Sequence, residues 1–195
     1  MLFIQLTGLS GSGKSTIANG AKEQLQKRGY RVEVLDGDEF RKHLCRDLGF
    51  SKADRNENVR RLGIVGSLLA KNGIIAIMAA INPYEEIRQE LLQLDCTVLT
   101  VWIRCDIDTL IERDPKGLYK RALYKDAHPD KVLNLTGMSD PYEEPSKPDL
   151  VVNTNEEEIF ESTMKFVDFV CDKLEGNISK VYTRIAEAEG SPDCP

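Results

Sequence analysis

Histidine and tryptophan are nearly absent: two His, at positions 43 and 128, and one Trp in 195 residues. With neither imidazole inside the motifs described below, a phosphohistidine relay lacks a carrier. The five cysteines, at 45, 96, 105, 171 and 194, are odd in number, scattered and without C-x-x-C spacing. That excludes a disulfide framework or a zinc site and fits reduced thiols. No apolar run approaches the roughly 18 residues of a membrane span. Basic charge is in deficit: 26 Lys and Arg against 32 Asp and Glu leave a net −6. Such a balance argues against a nucleic-acid or membrane-surface binder, so an anionic substrate must be met by a local cationic cluster. The first apolar run starts at residue 2 and leaves no room for a leader peptide, which sets the expectation of a cytoplasmic chain. In that compartment the sequons Asn134-Leu135-Thr136 and Asn177-Ile178-Ser179 go unused. Internal repeats, low-complexity tracts and an Asn-Lys-x-Asp guanine-reading segment are all missing.

What is present begins at Gly8. Gly8-Leu9-Ser10-Gly11-Ser12-Gly13-Lys14-Ser15 is a complete G-x-x-x-x-G-K-[ST] phosphate loop. It follows an apolar run, Leu2 to Leu6, and precedes Thr16 to Lys27, where Ile17, Ala21 and Leu25 share a helical face. The glycines let successive backbone N–H groups face phosphate oxygens. Lys14 adds a point charge, the Ser15 hydroxyl is a Mg²⁺ ligand, and a helix N-terminus favours the anion. Gly8, Ser10, Gly11, Ser12, Gly13, Lys14, Ser15 and Thr16 are therefore the candidate ATP-binding residues.

A length of 195 residues suits one α/β domain. Further strands are predicted at Val32 to Leu35, Ile74 to Ala79, Val98 to Ile103 and Leu150 to Asn153. Helices alternate with them at Asp38 to Asp47, Arg55 to Lys71, Tyr84 to Leu94, Asp106 to Arg113 and Glu156 to Leu174. This order predicts a P-loop NTPase-type three-layer α/β/α domain over residues 1–174, its parallel sheet opening the site at the strands' C-terminal edge. Residues 114–148 break the pattern with Lys116, Lys120, Arg121, Lys125 and five prolines from Pro115 to Pro148. They sit where a water-excluding lid belongs. A polar extension, 175–195, follows, with a last helix expected from Val181 to Glu189.

A phosphate loop needs a carboxylate to complete its metal site. The strand Ile74 to Ala79 leads into Ala80-Ile81-Asn82 and supplies none, whereas Val32 to Leu35 leads into Asp36-Gly37-Asp38. One carboxylate can hold Mg²⁺ while the other takes the proton of an attacking hydroxyl. We assign Asp36 with Ser15 to the metal and Asp38 to the proton. Asp38 also fits a helix N-cap.

These residues, in order, resemble the adenylylsulfate (APS) kinases over about residues 2 to 174. Besides Gly8 to Thr16 and Asp36-Gly37-Asp38, the landmarks are Arg46 to Ser51 (RDLGFS) and Asp54 to Arg61 (DRNENVRR). Ile81-Asn82-Pro83-Tyr84, Arg113 to Tyr119 (RDPKGLY), Thr136-Gly137 and Asp140 to Pro145 (DPYEEP) complete the series. The resemblance implies transfer of the γ-phosphate of MgATP to the 3′-hydroxyl of APS, in a homodimer. It implies that Lys14, Asp38 and Asp36 are catalytic and that Arg41 and Arg55 grip the acceptor's phosphosulfate, with Asn58 nearby. Phe50 would stack on the adenine, and Ile81, Asn82, Lys116, Leu118 and Leu135 would complete the acceptor site.

The chain also departs from the pattern. Leu135 replaces an aromatic, so it would cover the second face of the adenine by apolar contact alone. The lid is longer around Tyr124 to Leu133. Asn82 replaces a serine that can be phosphorylated in some members, and Glu39 replaces an asparagine. From the residues, two alternatives stay open: a related kinase for another nucleotide-linked acceptor, and a non-catalytic nucleotide-binding module.

Overall fold

β1 (Leu2–Thr7) is buried along its whole length, which places it between two covered faces. Its side chains alternate as a strand requires: Leu2, Ile4 and Leu6 enter one core and Phe3 the other. The computed structural model describes residues 1–125 and 128–189, with side chains through Gly176. After β1 come α1 (Lys14–Lys27), β2 (Val32–Asp36), α2 (Gly37–Lys42), α3 (Lys52–Lys71), β3 (Ile75–Ala79) and α4 (Glu85–Leu91). Then follow β4 (Thr97–Arg104), α5 (Ile107–Arg113), α6 (Leu118–Ala122), β5 (Leu150–Asn153) and α7 (Ile159–Glu189).

The five strands form one parallel sheet in the order β2-β3-β1-β4-β5. Helices α1 and α7 cover one face through Ile17, Ala21, Leu25, Phe166, Val167 and Val170. Helices α3 and α4 cover the other through Val59, Leu62, Ile87 and Leu91. The chain steps from β1 outward to β2, returns through β3, then crosses to β4 on the far side of β1. The loops leaving β1, β2 and β3 therefore meet at a topological switch point on the carboxyl edge, where such sheets bind ligands.

Helix boundaries differ from the pattern-based expectation where capping decides them. Ser51 caps α3, its hydroxyl accepting from Asp54 N at 3.1 Å, so the helix starts at Lys52 instead of Arg55. The helix expected from Asp38 to Asp47 ends at Lys42, and residues 43–47 are turns. Its cap is Asp36, not Asp38: Asp36 Oδ1 accepts from Asp38 N at 2.9 Å and from Glu39 N at 3.3 Å. The closing helix is continuous across Leu174 and takes in Val181 to Glu189. Residues 114–148 contain the short helix α6, which composition did not foretell. The expected lid insertion includes Asp126 and Ala127, and the extension includes residues 190–195; these lie outside the described residues. Among the described residues no helix is long and apolar enough to cross a membrane.

Gly66 lets α3 rest directly on the sheet, since a Cβ there would lie 2.5 Å from the Phe3 ring. Gly66→Ala is expected to lower unfolding stability by about 1–3 kcal/mol through overpacking. Urea denaturation checks this, and nucleotide affinity should be unchanged because the contact lies on the sheet's far face.

Candidate active site

The phosphate loop bridges β1 to α1 as the sequence requires. Gly8 N donates to Ile81 O at 3.2 Å, fixing where the chain leaves the sheet. A Cβ on Gly8 would collide with the Ile103 carbonyl oxygen. Gly13 precedes α1 at φ 94°, in the left-handed region that favours glycine. Lys14 is buried and folded over its own loop, Nζ donating to Leu9 O at 2.6 Å and to Ser12 Oγ at 3.3 Å. Burial first, then the neighbouring Lys116 charge, lowers its pKa to about 7, against the opposing pull of Asp38 and Asp36. An ammonium held this reluctantly gains strongly from an incoming anion.

Ser15 Oγ donates to Asp36 Oδ2 at 2.6 Å. A hydroxyl and a carboxylate side by side at the helix N-terminus are hard oxygen donors of the kind Mg²⁺ takes alongside phosphate oxygens. Among the described residues no group of three or more His, Cys, Asp or Glu could hold a metal unaided. The donor set thus fits an ion carried in with a nucleotide. Asp38 is exposed, and its Oδ2 pairs with Lys116 Nζ at 2.5 Å across the cleft.

The cleft itself encloses about 310 Å³. One wall is the phosphate loop with Asp36 and Asp38; the other carries Arg41, Phe50, Arg55 and Asn58, with Ile81 and Asn82 as the floor. Arg41 Cζ stands 4.7 Å from the Phe50 ring centroid and Arg55 Cζ 5.6 Å from it. Desolvation, then the Arg55 charge, pulls the Arg41 pKa down, against the opposing pull of carboxylates that include Asp38 and Asp54. Asn58 and Asn82 are each almost wholly buried, and each has an Oδ1 without a hydrogen-bond partner among the described residues. Asn82 Nδ2 donates to Gln5 Oε1 at 2.9 Å. Gln5 is itself fixed by its Nε2 bonds to Thr100 Oγ1 and Arg88 O.

Arg55 does more than the sequence suggested. Its Nε donates to Phe50 O at 3.0 Å and its Nη2 to Asn134 O at 2.6 Å, and Nε lies 3.4 Å from Asp140 Oδ2. It therefore fastens residues 134–140 to α3 while facing the cleft. Arg60 and Arg61 are taken up by Glu57, Glu90 and Asp47. Lys116 reaches the cleft, but Leu118 and Leu135 do not line it. Leu135, 5% exposed, is packed instead with Cys105, Leu110 and Tyr119 in a small core of its own, against which Leu118 rests. An apolar residue in a gap between α5 and α6 follows the hydrophobic interior and not the ligand.

A second groove opens behind the phosphate loop. Gly11, Gly13, Thr16, Arg113, Thr154 and Asn155 are among its lining residues, and Gly11, Gly13 and Thr16 also line the main cleft. Arg113 Nη2 donates to Thr154 O at 2.9 Å, and Thr154 Oγ1 donates to Ser12 O at 3.2 Å. The sequence pattern assigns no binding role to Arg113, Thr154 or Asn155. The signal was the position of Thr154 and Asn155 just past β5, at the edge where the other strands place their site residues.

A family model described as adenylylsulphate kinase matches residues 1–153. The adenylyl-sulfate kinase of Bacillus pumilus is 48% identical over 172 residues, covering 87% of this chain and 85% of the relative. The Mycobacterium tuberculosis APS kinase solved in complex with AMPPNP and APS is similar at TM-score 0.78 and 36% identity, over 86% of this chain and 95% of that one. A hexameric APS kinase from Thiobacillus denitrificans matches at TM-score 0.65 and 31% identity, over 88% of this chain and 29% of its own.

The Lys14 environment makes a pH prediction. With its pKa near 7 in the free protein, Lys14 is mostly neutral at about pH 8, and bound phosphate restores the ammonium. Nucleotide binding should then take up close to one proton at about pH 8, and affinity should fall as pH rises. Calorimetry in buffers of different ionisation enthalpy checks this: uptake should shrink toward about pH 6 and vanish in Lys14→Met.

Proposed function

We infer from this cleft how the chain, which belongs to the adenylylsulfate kinase family, carries out its transfer. The γ-phosphate of ATP passes to the 3′-hydroxyl of APS, leaving ADP and PAPS. One observation carries the reading: a single cleft is lined by the phosphate loop and a carboxylate pair and by two arginines, Arg41 and Arg55, beside the aromatic Phe50. The ATP base and ribose take the groove along Arg113, Thr154 and Asn155, and the phosphates lie on the loop. The acceptor enters from the Phe50 side. Its phosphosulfate meets Arg41 and Arg55, whose planar donors suit such oxygens. Its N–H and O–H groups satisfy Asn58 Oδ1 and Asn82 Oδ1.

Ser15 and Asp36 are the residues that would hold Mg²⁺, which when bound neutralises charge between the β- and γ-phosphates. Asp38 accepts the proton of the attacking hydroxyl, and Lys116 moves from Asp38 to the incoming anion. Lys14 follows the transferring phosphoryl group. The lid over residues 114–148 closes the cleft against water, so that ATP is not spent on hydrolysis. Phe50 supplies one stacking face for the adenine. The location of Leu135 in the lid core argues that this residue supports the second face from behind. We further propose a homodimer in the cytoplasm, consistent with Cys45, Cys96, Cys105 and Cys171 being free thiols. The mass of the assembly in solution tests this against the hexamer described for the Thiobacillus denitrificans relative.

Incubating the protein with MgATP and a panel of nucleotide acceptors, with products weighed, tests the assignment. APS should give the fastest turnover; a faster acceptor would displace it, and turnover independent of acceptor would refute a kinase. Within the APS reaction, Asp38→Asn should lower kcat by about 10²-fold or more with little change in KM for MgATP. Arg41→Ala should raise KM for APS and leave ATP affinity intact, as steady-state kinetics would show.

A further inference from the structure

The outer half of the phosphate loop is held from outside by the base of the lid. Leu9 packs into the small core of Cys105, Leu110, Tyr119 and Leu135. A Cβ on Gly11 would touch Pro115 Cδ at 3.5 Å, and one on Gly137 would press on Leu9 at 2.6 Å. At the centre of this grip Tyr119, 1% exposed, donates its hydroxyl proton to Ser10 O at 2.9 Å. The tyrosine is itself fixed in place, because Asp114 accepts from Tyr119 N at 3.1 Å and from Lys120 N at 2.9 Å. Burial pushes its phenol pKa well up, so the group stays a donor.

A peptide group is planar, and in the trans form its C=O and the following N–H point in opposite directions. No cis peptide occurs among the described residues. Drawing Ser10 O to Tyr119 therefore turns Gly11 N–H away from Tyr119, and Gly11 lines both the cleft and the groove behind the loop. Gly11 N–H has no backbone acceptor among the described residues. We propose that Tyr119 is a positioning residue for the donor nucleotide: its hydroxyl sets the Ser10–Gly11 peptide so that Gly11 N–H donates to a phosphate oxygen. Tyr119 touches no substrate and acts through the loop. The inference rests on the donor-site reading of the loop and not on the identity of the acceptor.

A consequence follows for the lid. Lys116, three residues before Tyr119, reaches into the cleft, so one short segment touches both the acceptor side and the loop's backbone. A displacement of residues 114–119 would be felt at Gly11.

Tyr119→Phe keeps the ring and removes only the hydroxyl. Direct calorimetry with MgADP, and separately with magnesium tripolyphosphate, needs no acceptor turnover. Both affinities should fall by the same factor, about three- to tenfold, the size of one lost hydrogen bond. Unchanged affinities, or a loss confined to MgADP, would overturn the proposal, since the effect belongs to phosphate. In the wild-type protein, MgADP should move the Gly11 amide proton downfield, and in Tyr119→Phe that shift should shrink. An unmoved Gly11 resonance in the wild type would overturn the inference whether or not the variant folds. Failure of the wild type to bind MgADP at all would instead remove the donor-site reading.

Discussion

The carbonyl of Ile81 receives two hydrogen bonds from β1's exit: Gly8 N at 3.2 Å and Thr7 Oγ1 at 3.0 Å. That junction ties the start of the phosphate loop to the floor of the acceptor side. The phosphate loop begins on one side of it and Ile81-Asn82 continues on the other. β1 and β3 are paired along Phe3 to Leu6, so the two strands leave the sheet together and their connections diverge only at this point. The loop turns one way into α1, and Ile81-Asn82 turns the other way under the cleft. The phosphate loop and the Ile81-Asn82 segment thus start from a shared origin set by parallel-sheet pairing and the Thr7 hydroxyl.

Beneath the junction lies a buried polar network that an apolar core would not need. Asn82, in the left-handed region at φ 48°, gives its carbonyl to Thr7 Oγ1 and to Arg88 Nη1. Arg88, 1% exposed, also donates to Glu143 O at 2.7 Å and pairs with Glu85. Tyr142 shares a hydrogen bond with Thr7 Oγ1, and Tyr84 donates to Asp140. The segment from 140 to 146 is therefore nailed to the sheet edge, while residues 114–119 reach over the cleft. Buried charges and amides of this kind cost free energy unless every partner is present, so they fix one arrangement of loop, floor and lid. Asn58 Oδ1 and Asn82 Oδ1, both at the cleft, have no hydrogen-bond partner among the described residues.

Much of this was legible in the sequence because strong local rules and tertiary demands agree. The G-x-x-x-x-G-K-[ST] spacing dictates strand, nest and helix, and the apolar runs at Leu2 and Ile74 are buried strands as their patterns require. Asp36-Gly37-Asp38 announced a carboxylate pair, but not which member caps α2; one side chain had to turn toward Ser15 and the helix at once. Leu135 could be matched in sequence and still be misplaced in space, because position along a lid says nothing about which face packs inward. The dual engagement of Arg55 with Asn134 and Asp140 was invisible for the same reason: it joins residues 79 and 85 positions apart. No short motif names the groove behind the phosphate loop, because it is made by the end of α5 at Arg113 and the residues just past β5, Thr154 and Asn155. Arg113 and Thr154 stand 41 positions apart in sequence.

The central claim is that donor and acceptor meet across one phosphate loop and the phosphoryl group passes directly between them. Asn82 lines the cleft with an amide where some relatives carry a hydroxyl that can be phosphorylated. The decisive measurement is the stereochemical course at phosphorus, using ATP made chiral at the γ-position with oxygen isotopes. A single in-line displacement predicts inversion of configuration in the phosphorylated product. Retention would mean two displacements through a covalent phosphoenzyme and would contradict the account.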